Sequence, residues 1–213
     1  PCATGMTAEY EYDRLDVRGM EERIWTNRLY SPAILLLTYN RNTGWSSGMR
    51  GPLMLVSLHI THSSAGGMEC LNDIIPGIED AVGKALAESK DVEEYVIIRT
   101  CNRLEAYVAT DDNHDVRLMM ERIVRKTIPY SDREFWYILQ DNECIKHLFT
   151  VVCGIDSLIV GEDQIQHQTR DAFMKAQKEG HVGKSLYALF NNAIIVGKRV
   201  RTETELNKGA VSV

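Results

Sequence analysis

The chain has 213 residues, of which 44% are hydrophobic and 25% are charged. This composition is sufficient for a folded core, and it excludes a chain that is disordered over most of its length. The formal net charge is −6. That balance excludes a protein that binds nucleic acid by overall charge, so an RNA contact would need local basic clusters.

Five cysteines are present, and their number and spacing restrict what they can do. The number is odd and no C-x-x-C pair occurs, which argues against a disulfide framework and against a structural zinc site. Free thiols are typical of a reducing compartment, and no apolar run reaches the roughly 18 residues of a membrane span. We therefore predict a cytoplasmic protein without a metal site. The cysteines are Cys2, Cys70, Cys101, Cys144 and Cys153.

Residues 1–52 differ from the rest of the chain. Their apolar residues follow neither a helical nor a strand period, and turn-forming residues cluster at 40–48. Met54 begins a clear strand pattern and is an alternative start. We expect residues 1–52 to be an extension that is disordered or not native to the protein.

Beyond residue 52 the apolar positions follow strand and helix periods. Strands are predicted at 53–60, 95–98, 104–109 and 134–138. Helices are predicted near 71–86, 116–123, 141–152, 162–179 and 184–203. This order predicts an α+β fold, with a small antiparallel sheet of βαββαβ order, helices on one face, and a C-terminal helical segment after it.

The segment around Cys101 is the strongest candidate for chemistry. It reads Thr-Cys-Asn-Arg-Leu-Glu-Ala-Tyr from residue 100 and lies between two predicted strands. A tight strand connection can expose the sulfur, and Arg103 could lower the pKa of the thiol. Glu105 and Tyr107 share one face of the following strand, because strand side chains alternate. The alternative is that Cys101 is a buried core residue, as most single cysteines are.

A second polar segment, residues 154–168, reads Gly-Ile-Asp-Ser-Leu-Ile-Val-Gly-Glu-Asp-Gln-Ile-Gln-His-Gln. Glu162 and Asp163 suit the first turn of a helix through its dipole. Gln164 and Gln168 lie on one helical face. The alternative is helix capping with amides that point into solvent.

Together these segments resemble the glutamyl-tRNA reductase family, which begins C5 tetrapyrrole synthesis. The motifs are T-C-N-R-x-E-x-Y from residue 100 and S-x-x-x-G-E-x-Q-I-x-x-Q from residue 157. The H-L-F segment at 147–149 agrees, as do K-R-V-R-x-E-T at 198–204 and G-A-V-S-V at 209–213. The resemblance covers about residues 53–213.

The resemblance implies a role for each matching residue. Cys101 is the nucleophile that takes glutamate from its tRNA as a thioester, and His147 is important for activity. Cys101 has three substrate-contacting neighbours: Thr100, Asn102 and Arg103. The glutamate-binding set comprises Ser157, Glu162, Asp163, Gln164 and Gln168. From the residues alone, the favoured interpretation of His147 is a hydrogen-bonded core histidine.

The resemblance also implies a domain plan, a cofactor and partners. Residues 53–156 would form the α+β catalytic domain, 157–203 the helices that complete it, and 204–213 the start of a domain that binds NADPH. No G-x-G-x-x-G fingerprint occurs in the 213 residues, so none of them is predicted to bind the cofactor. The implied partners are glutamyl-tRNA(Glu), a second copy in a homodimer, and the aminomutase that acts next.

Two departures from the family pattern and two rival functions remain. Residues 63–67 are Ser, Ala and Gly where the family has proline or charged residues, and Gln166 stands where leucine is common. The rivals are a non-catalytic α+β binding module and a cysteine hydrolase with His147 as its base. Two basic clusters are candidates for tRNA contact: Lys184, Lys198, Arg199 and Arg201, and Arg122, Arg125 and Lys126.

Overall fold

The structure, a computed structural model, describes residues 53–61, 68–127, 136–157 and 163–203. Four predictions lie outside the described residues: the extension at 1–52, the loop at 63–67, the role of Glu162, and the domain start at 204–213. No helix in the described ranges combines the length and hydrophobicity that crossing a bilayer requires.

The described residues form one antiparallel sheet and a set of helices. The strands are β1 Met54–Thr61, β2 Val92–Arg99, β3 Arg103–Thr110 and β4 Tyr137–Gln140, in the spatial order β2-β3-β1-β4. The helices are α1 Met68–Glu88, α2 Asn113–Thr127, α3 Asp141–Val152, α4 Gln164–Lys178 and α5 Lys184–Glu203. The predicted α+β fold of βαββαβ order is confirmed. The fourth strand lies two to three residues later than the predicted 134–138.

Helices cover both faces of the sheet. Val56, Leu58 and Ile60 of β1 point into a core shared with α1 and α2, which lie on one face as predicted. Leu55 points to the opposite side, where the core is filled by α3, α4 and α5. The C-terminal helical segment therefore covers the second face of the sheet, which the sequence pattern did not indicate.

The face beneath the C-terminal helices carries a row of buried polar side chains. Antiparallel pairing places Ser57 opposite Tyr107, His59 opposite Glu105, and Thr61 opposite Arg103. All six of these residues are at most 2% exposed. Buried polar groups must find partners inside the protein, so this row forms a connected network, which lies behind the candidate site.

The start of α5 is fixed to the sheet by Glu94 of β2. Its carboxylate accepts backbone N–H bonds from Gly183 at 2.9 Å, Ser185 at 3.0 Å and Leu186 at 2.8 Å. These are N–H groups that a helix N-terminus leaves without partners. A Cβ atom at residue 183 would lie 2.7 Å from the Glu94 Oε1 atom, so this close approach requires glycine.

Candidate active site

Cys101 lies in the connection between β2 and β3. The Thr100 N–H donates to the Arg103 carbonyl at 2.9 Å, which closes the turn. The Thr100 hydroxyl oxygen accepts N–H bonds from Asn102 at 3.0 Å and Arg103 at 3.2 Å. One backbone bond and two bonds to the Thr100 hydroxyl thereby hold the turn, and Cys101 within it is exposed.

The other described cysteines have a different environment. Cys144 and Cys153 are both buried and belong to the core beneath the C-terminal helices. Burial raises the pKa of the Cys144 thiol to about 12 and that of the Cys153 thiol to about 12. Both are protonated and inaccessible at neutral pH. Cys101 is therefore the accessible thiol among these three.

A small polar cavity adjoins Cys101 and brings together most of the predicted site. Its volume is about 10 Å³, which is room for about one water molecule. The cavity is lined by Thr100, Cys101, Asn102, Arg103, Ser157, Gln164, Ile165 and Gln168. We call it the amide cavity. The first turn of α4 supplies one wall, and the β2–β3 connection supplies the other.

Two polar atoms near this cavity lack partners within the described residues. The Asn102 Oδ1 and the Ser157 Oγ atoms are buried and make no hydrogen bond. An unpaired buried polar atom is costly unless a ligand or a water molecule bonds to it. Both residues line the amide cavity, so its wall offers unused hydrogen-bonding capacity to a polar ligand.

Arg103 is held inside the protein by two acidic residues. It is 1% exposed. Its Nη1 donates to Glu105 Oε1 at 2.9 Å and to Asp156 Oδ2 at 3.1 Å, and its Nη2 donates to the Asp156 carbonyl. Burial alone would lower the pKa of Arg103, but the two carboxylates outweigh it and raise that pKa. A substrate carboxylate could bind both nitrogens only after Asp156 moves away.

Glu105 is the centre of the buried network. One carboxylate oxygen lies 2.9 Å from His147 Nε2 and 3.6 Å from His59 Nδ1, and the other accepts the Tyr107 hydroxyl at 2.8 Å. Burial alone would raise the pKa of Glu105, but its interactions with His147 and Arg103 hold that pKa well below its usual value. His147 does not line the amide cavity. It is connected to the cavity through Glu105 and Arg103.

His59, Glu105 and His147 also have the spacing of metal ligands, with one atom from each lying within 4.8 Å of the others. The Glu105 oxygen in this group already accepts a hydrogen bond from the Arg103 guanidinium. A metal ion would lie next to that fixed positive charge, which opposes binding. We therefore interpret the group as a hydrogen-bonded network.

His59 is buried as a neutral ring. Its Nε2 lies 2.6 Å from the Ser57 hydroxyl oxygen, and its ring stacks on Tyr137 with centroids 4.9 Å apart. Burial lowers its pKa from 6.5 to about 4, although Glu105 acts in the opposite direction. Between pH 6.5 and about pH 4 the His59 side chain binds a proton in the unfolded chain but not in the folded protein.

We therefore expect acid to destabilise the protein through His59. Stability contributed by the neutral ring is complete above pH 6.5 and is lost as the pH falls toward 4; the full loss is on the order of 3 kcal/mol. Urea unfolding at several pH values measures the slope of the free energy of unfolding against pH. The slope should be shallower in His59→Gln and unchanged in a variant at an exposed histidine, His114→Gln. Equal slopes in His59→Gln and the unchanged protein would contradict the assignment.

Asp163 and Gln166 contribute to packing between α4 and α5. The Asp163 Oδ1 lies 2.6 Å from the Nε of Arg201. Gln166 is buried: its amide donates to the Ile194 carbonyl at 3.0 Å and accepts from Arg201 Nη1 at 2.6 Å. Asp163 does not line the amide cavity. Gln166, where the family commonly has leucine, therefore takes part in a bridge between the two helices.

The basic clusters are only partly available for phosphate contact. Arg201 is directed inward to Asp163 and Gln166, and its side chain is 8% exposed. Arg199 is exposed and pairs with Glu203 at 2.9 Å. Arg125 lies over the Trp136 ring at 5.3 Å. Arg201 is therefore a structural residue, while the other two remain at the surface.

Sequence reasoning missed His59 and Asp156 as members of this site. The signal for His59 was present: polar residues at every second position of β1 and β3 indicate one buried polar face. No comparable signal existed for Asp156, which is 53 positions from Arg103 in sequence. Only the folded chain brings the two together.

The fold and the site define a class of protein: α+β domains that present an exposed cysteine at a strand connection beside a polar cavity. The model of the "Glutamyl-tRNAGlu reductase, N-terminal domain" family matches residues 59–204. The chain therefore belongs to this glutamyl-tRNA reductase N-terminal domain family.

Individual relatives agree with the family model. A glutamyl-tRNA reductase of Methanococcoides burtonii is 38% identical over 160 residues, which are 74% of this chain and 36% of that protein. One of Bacillus subtilis is 38% identical over 60% of this chain and 29% of that protein. The solved glutamyl-tRNA reductase from Methanopyrus kandleri superposes with a TM-score of 0.61 at 30% identity, covering 74% of this chain and 37% of that one. The chain thus spans about a third of the length of these relatives.

Proposed function

We propose that this chain performs the thioester-forming half of glutamyl-tRNA reduction. The Cys101 thiolate would attack the ester carbonyl of glutamyl-tRNA(Glu). A carbon–sulfur bond forms, the bond to the ribose oxygen breaks, and the tRNA leaves with a free hydroxyl. The observation that supports this best is the position of Cys101: it is exposed and lies beside a cavity lined by Ser157, Gln164 and Gln168, three residues that match the family's glutamate-binding set.

The amide cavity is proposed to hold the glutamyl group. Asn102 and Ser157 each have a buried oxygen without a partner in the described residues, and Gln164 and Gln168 add amides that can fix its orientation. Arg103 would bind the side-chain carboxylate of the glutamyl group. Since Asp156 occupies the Arg103 guanidinium, binding of the substrate carboxylate to Arg103 requires Asp156 to withdraw. The amide cavity, at about 10 Å³, must also widen to admit the glutamyl group. The Asp156 side chain is 38% exposed and can turn into solvent.

His147 is proposed to act on the site through Glu105. The contact at 2.9 Å fixes its ring against the carboxylate that also holds Arg103. Glu162 is proposed to face the substrate ammonium, and Asp163 to act by holding the start of α4. A cysteine hydrolase would need a histidine base beside the sulfur, and His147 does not line the cavity that Cys101 borders. This arrangement favours transfer of the glutamyl group from the tRNA to the Cys101 sulfur over that rival.

The remaining parts of the reaction lie outside these residues. NADPH bound by another part of the full enzyme would supply hydride to the thioester and release glutamate-1-semialdehyde. The chain contains no G-x-G-x-x-G fingerprint of its own. We propose the cytoplasm as its location, a homodimer as the state of the full enzyme, and the next aminomutase as a partner. The buried free thiols of Cys144 and Cys153 support a reducing compartment.

Selective alkylation tests this proposal. Iodoacetamide is expected to modify Cys101 much faster than Cys144 or Cys153, since the latter two are buried and their pKa values are both raised to about 12. Glutamyl-tRNA should protect Cys101, because the sulfur is then acylated. Peptide mass spectrometry after a short exposure measures both effects.

The control is the same tRNA without its amino acid, which should protect much less. Uniform labelling of these three cysteines would favour the non-catalytic binding module. Labelling of Cys101 that charged tRNA leaves unchanged would contradict the proposed thioester.

A further inference from the structure

Cys101 borders a second, larger cavity on the side of α1. Its volume is about 370 Å³, and it is lined by Ile75, Pro76, Arg99, Thr100 and Cys101. This volume lies within the range of small-molecule sites, roughly 300–1,000 Å³. We call it the α1 cavity. Cys101 and Thr100 line both cavities, so Cys101 borders two concave surfaces of different character.

Acyl transfer to a thiol needs space for two groups. In the tetrahedral intermediate the carbonyl carbon carries the sulfur, the oxyanion, the acyl chain and the leaving oxygen. The acyl chain and the leaving group extend from this carbon in different directions. Cys101 borders two cavities that can receive these two groups, and the amide cavity has the polar lining that suits the glutamyl group once this cavity has widened.

The lining of the α1 cavity suits a nucleotide. Pro76 offers an exposed apolar surface for a sugar or a base, and Arg99 offers a guanidinium that can bind a phosphate. Arg99 now donates to Glu79 at 2.8 Å, with side-chain exposures of 51% and 28%. An ion pair this exposed contributes little to stability, so a phosphate can replace Glu79 at Arg99.

We propose that the α1 cavity receives the 3′-terminal nucleotide of the charged tRNA, with Arg99 bound to a phosphate of the acceptor end. This assignment rests on the proposed function, because it identifies the place of the leaving group in that reaction. Glu79 acts as a competitor for Arg99, and its removal should strengthen tRNA binding.

Two variants of opposite expected effect test the assignment. Arg99→Gln should raise the apparent KM for acylation of Cys101 by glutamyl-tRNA about tenfold, the expected loss for one charged hydrogen bond. The slope of the logarithm of the tRNA-binding constant against the logarithm of the salt concentration should also become smaller in magnitude by about one. Glu79→Gln should lower the same KM, because Arg99 loses its competitor. Acylation by a small glutamyl thioester, which has no nucleotide, should change less than about twofold in either variant.

The matched controls are Arg117→Gln and Glu121→Gln. These residues form a similar exposed pair within α2, with side-chain exposures of 39% and 21%, and should leave both substrates unaffected. The experiment uses the whole chain, and the small thioester verifies that each variant is folded and reactive.

Each result has a distinct meaning. If Arg99→Gln impairs both substrates equally, Arg99 serves the glutamyl group and the assignment is wrong. If Arg99→Gln changes neither, the α1 cavity does not hold the nucleotide. If neither substrate acylates Cys101 in the unchanged protein, the proposed function fails and this inference fails with it.

Discussion

Replacement of Cys101 by alanine is expected to abolish acyl transfer from glutamyl-tRNA to this chain. The loss should be at least about a thousandfold, because no other described thiol can act as the nucleophile. Cys144 and Cys153 are buried, with pKa values raised to about 12 in both cases. Release of labelled glutamate from the tRNA, together with the intact mass of the protein, measures the reaction.

The unchanged chain should form the thioester and hydrolyse it slowly, without rapid oxidation of NADPH. A Cys153→Ala variant is the control: it removes a buried thiol and should retain acyl transfer as long as it folds. Deacylation of glutamyl-tRNA by Cys101→Ala at the unchanged rate would show that the sulfur does not take part. Rapid NADPH oxidation by these residues alone would contradict the division of the reaction between domains.

Replacement of Glu105 by glutamine is expected to destabilise the protein by about 3–5 kcal/mol, the usual cost of breaking a buried ion pair. The carboxylate is 0% exposed and bonds to Arg103, His147 and Tyr107. Glutamine has nearly the same shape but no charge, so the buried guanidinium would keep only Asp156 as an anionic partner. Urea unfolding at neutral pH measures the change.

The matched control for Glu105 is Glu203→Gln. Glu203 also pairs with an arginine, Arg199, but both side chains are about half exposed, and no measurable loss of stability is expected. A purely structural role for Glu105 would lower only the amount of folded protein. The proposed positioning role predicts an additional effect on substrate binding. In the folded Glu105→Gln protein, acylation of Cys101 should show a raised KM for glutamyl substrates. An unchanged KM in the folded fraction would limit Glu105 to stability.

The sequence predicted the sheet and the helices well, because their apolar periods are local. The motif around Cys101 predicted the exposed thiol, and the wall of the amide cavity formed from the residues of the second motif. The partners of Arg103 could not be predicted. Asp156 is remote in sequence, so its ion pair with Arg103 forms only in the folded chain. The sequence predicts only that His59 belongs to a buried strand. The pairing of β1 with β3 is needed to place it opposite Glu105.

The bridge from Arg201 to Asp163 and Gln166 links distant parts of the molecule. Arg201 lies in the last turn of α5, whereas Asp163 directly precedes the α4 residues that form one wall of the amide cavity. Rotation of the final turn of α5 would therefore pull on that wall and alter the space beside Cys101. The end of this helix is therefore coupled to the amide cavity, and a change in its last turn would open or narrow the space proposed for the glutamyl group.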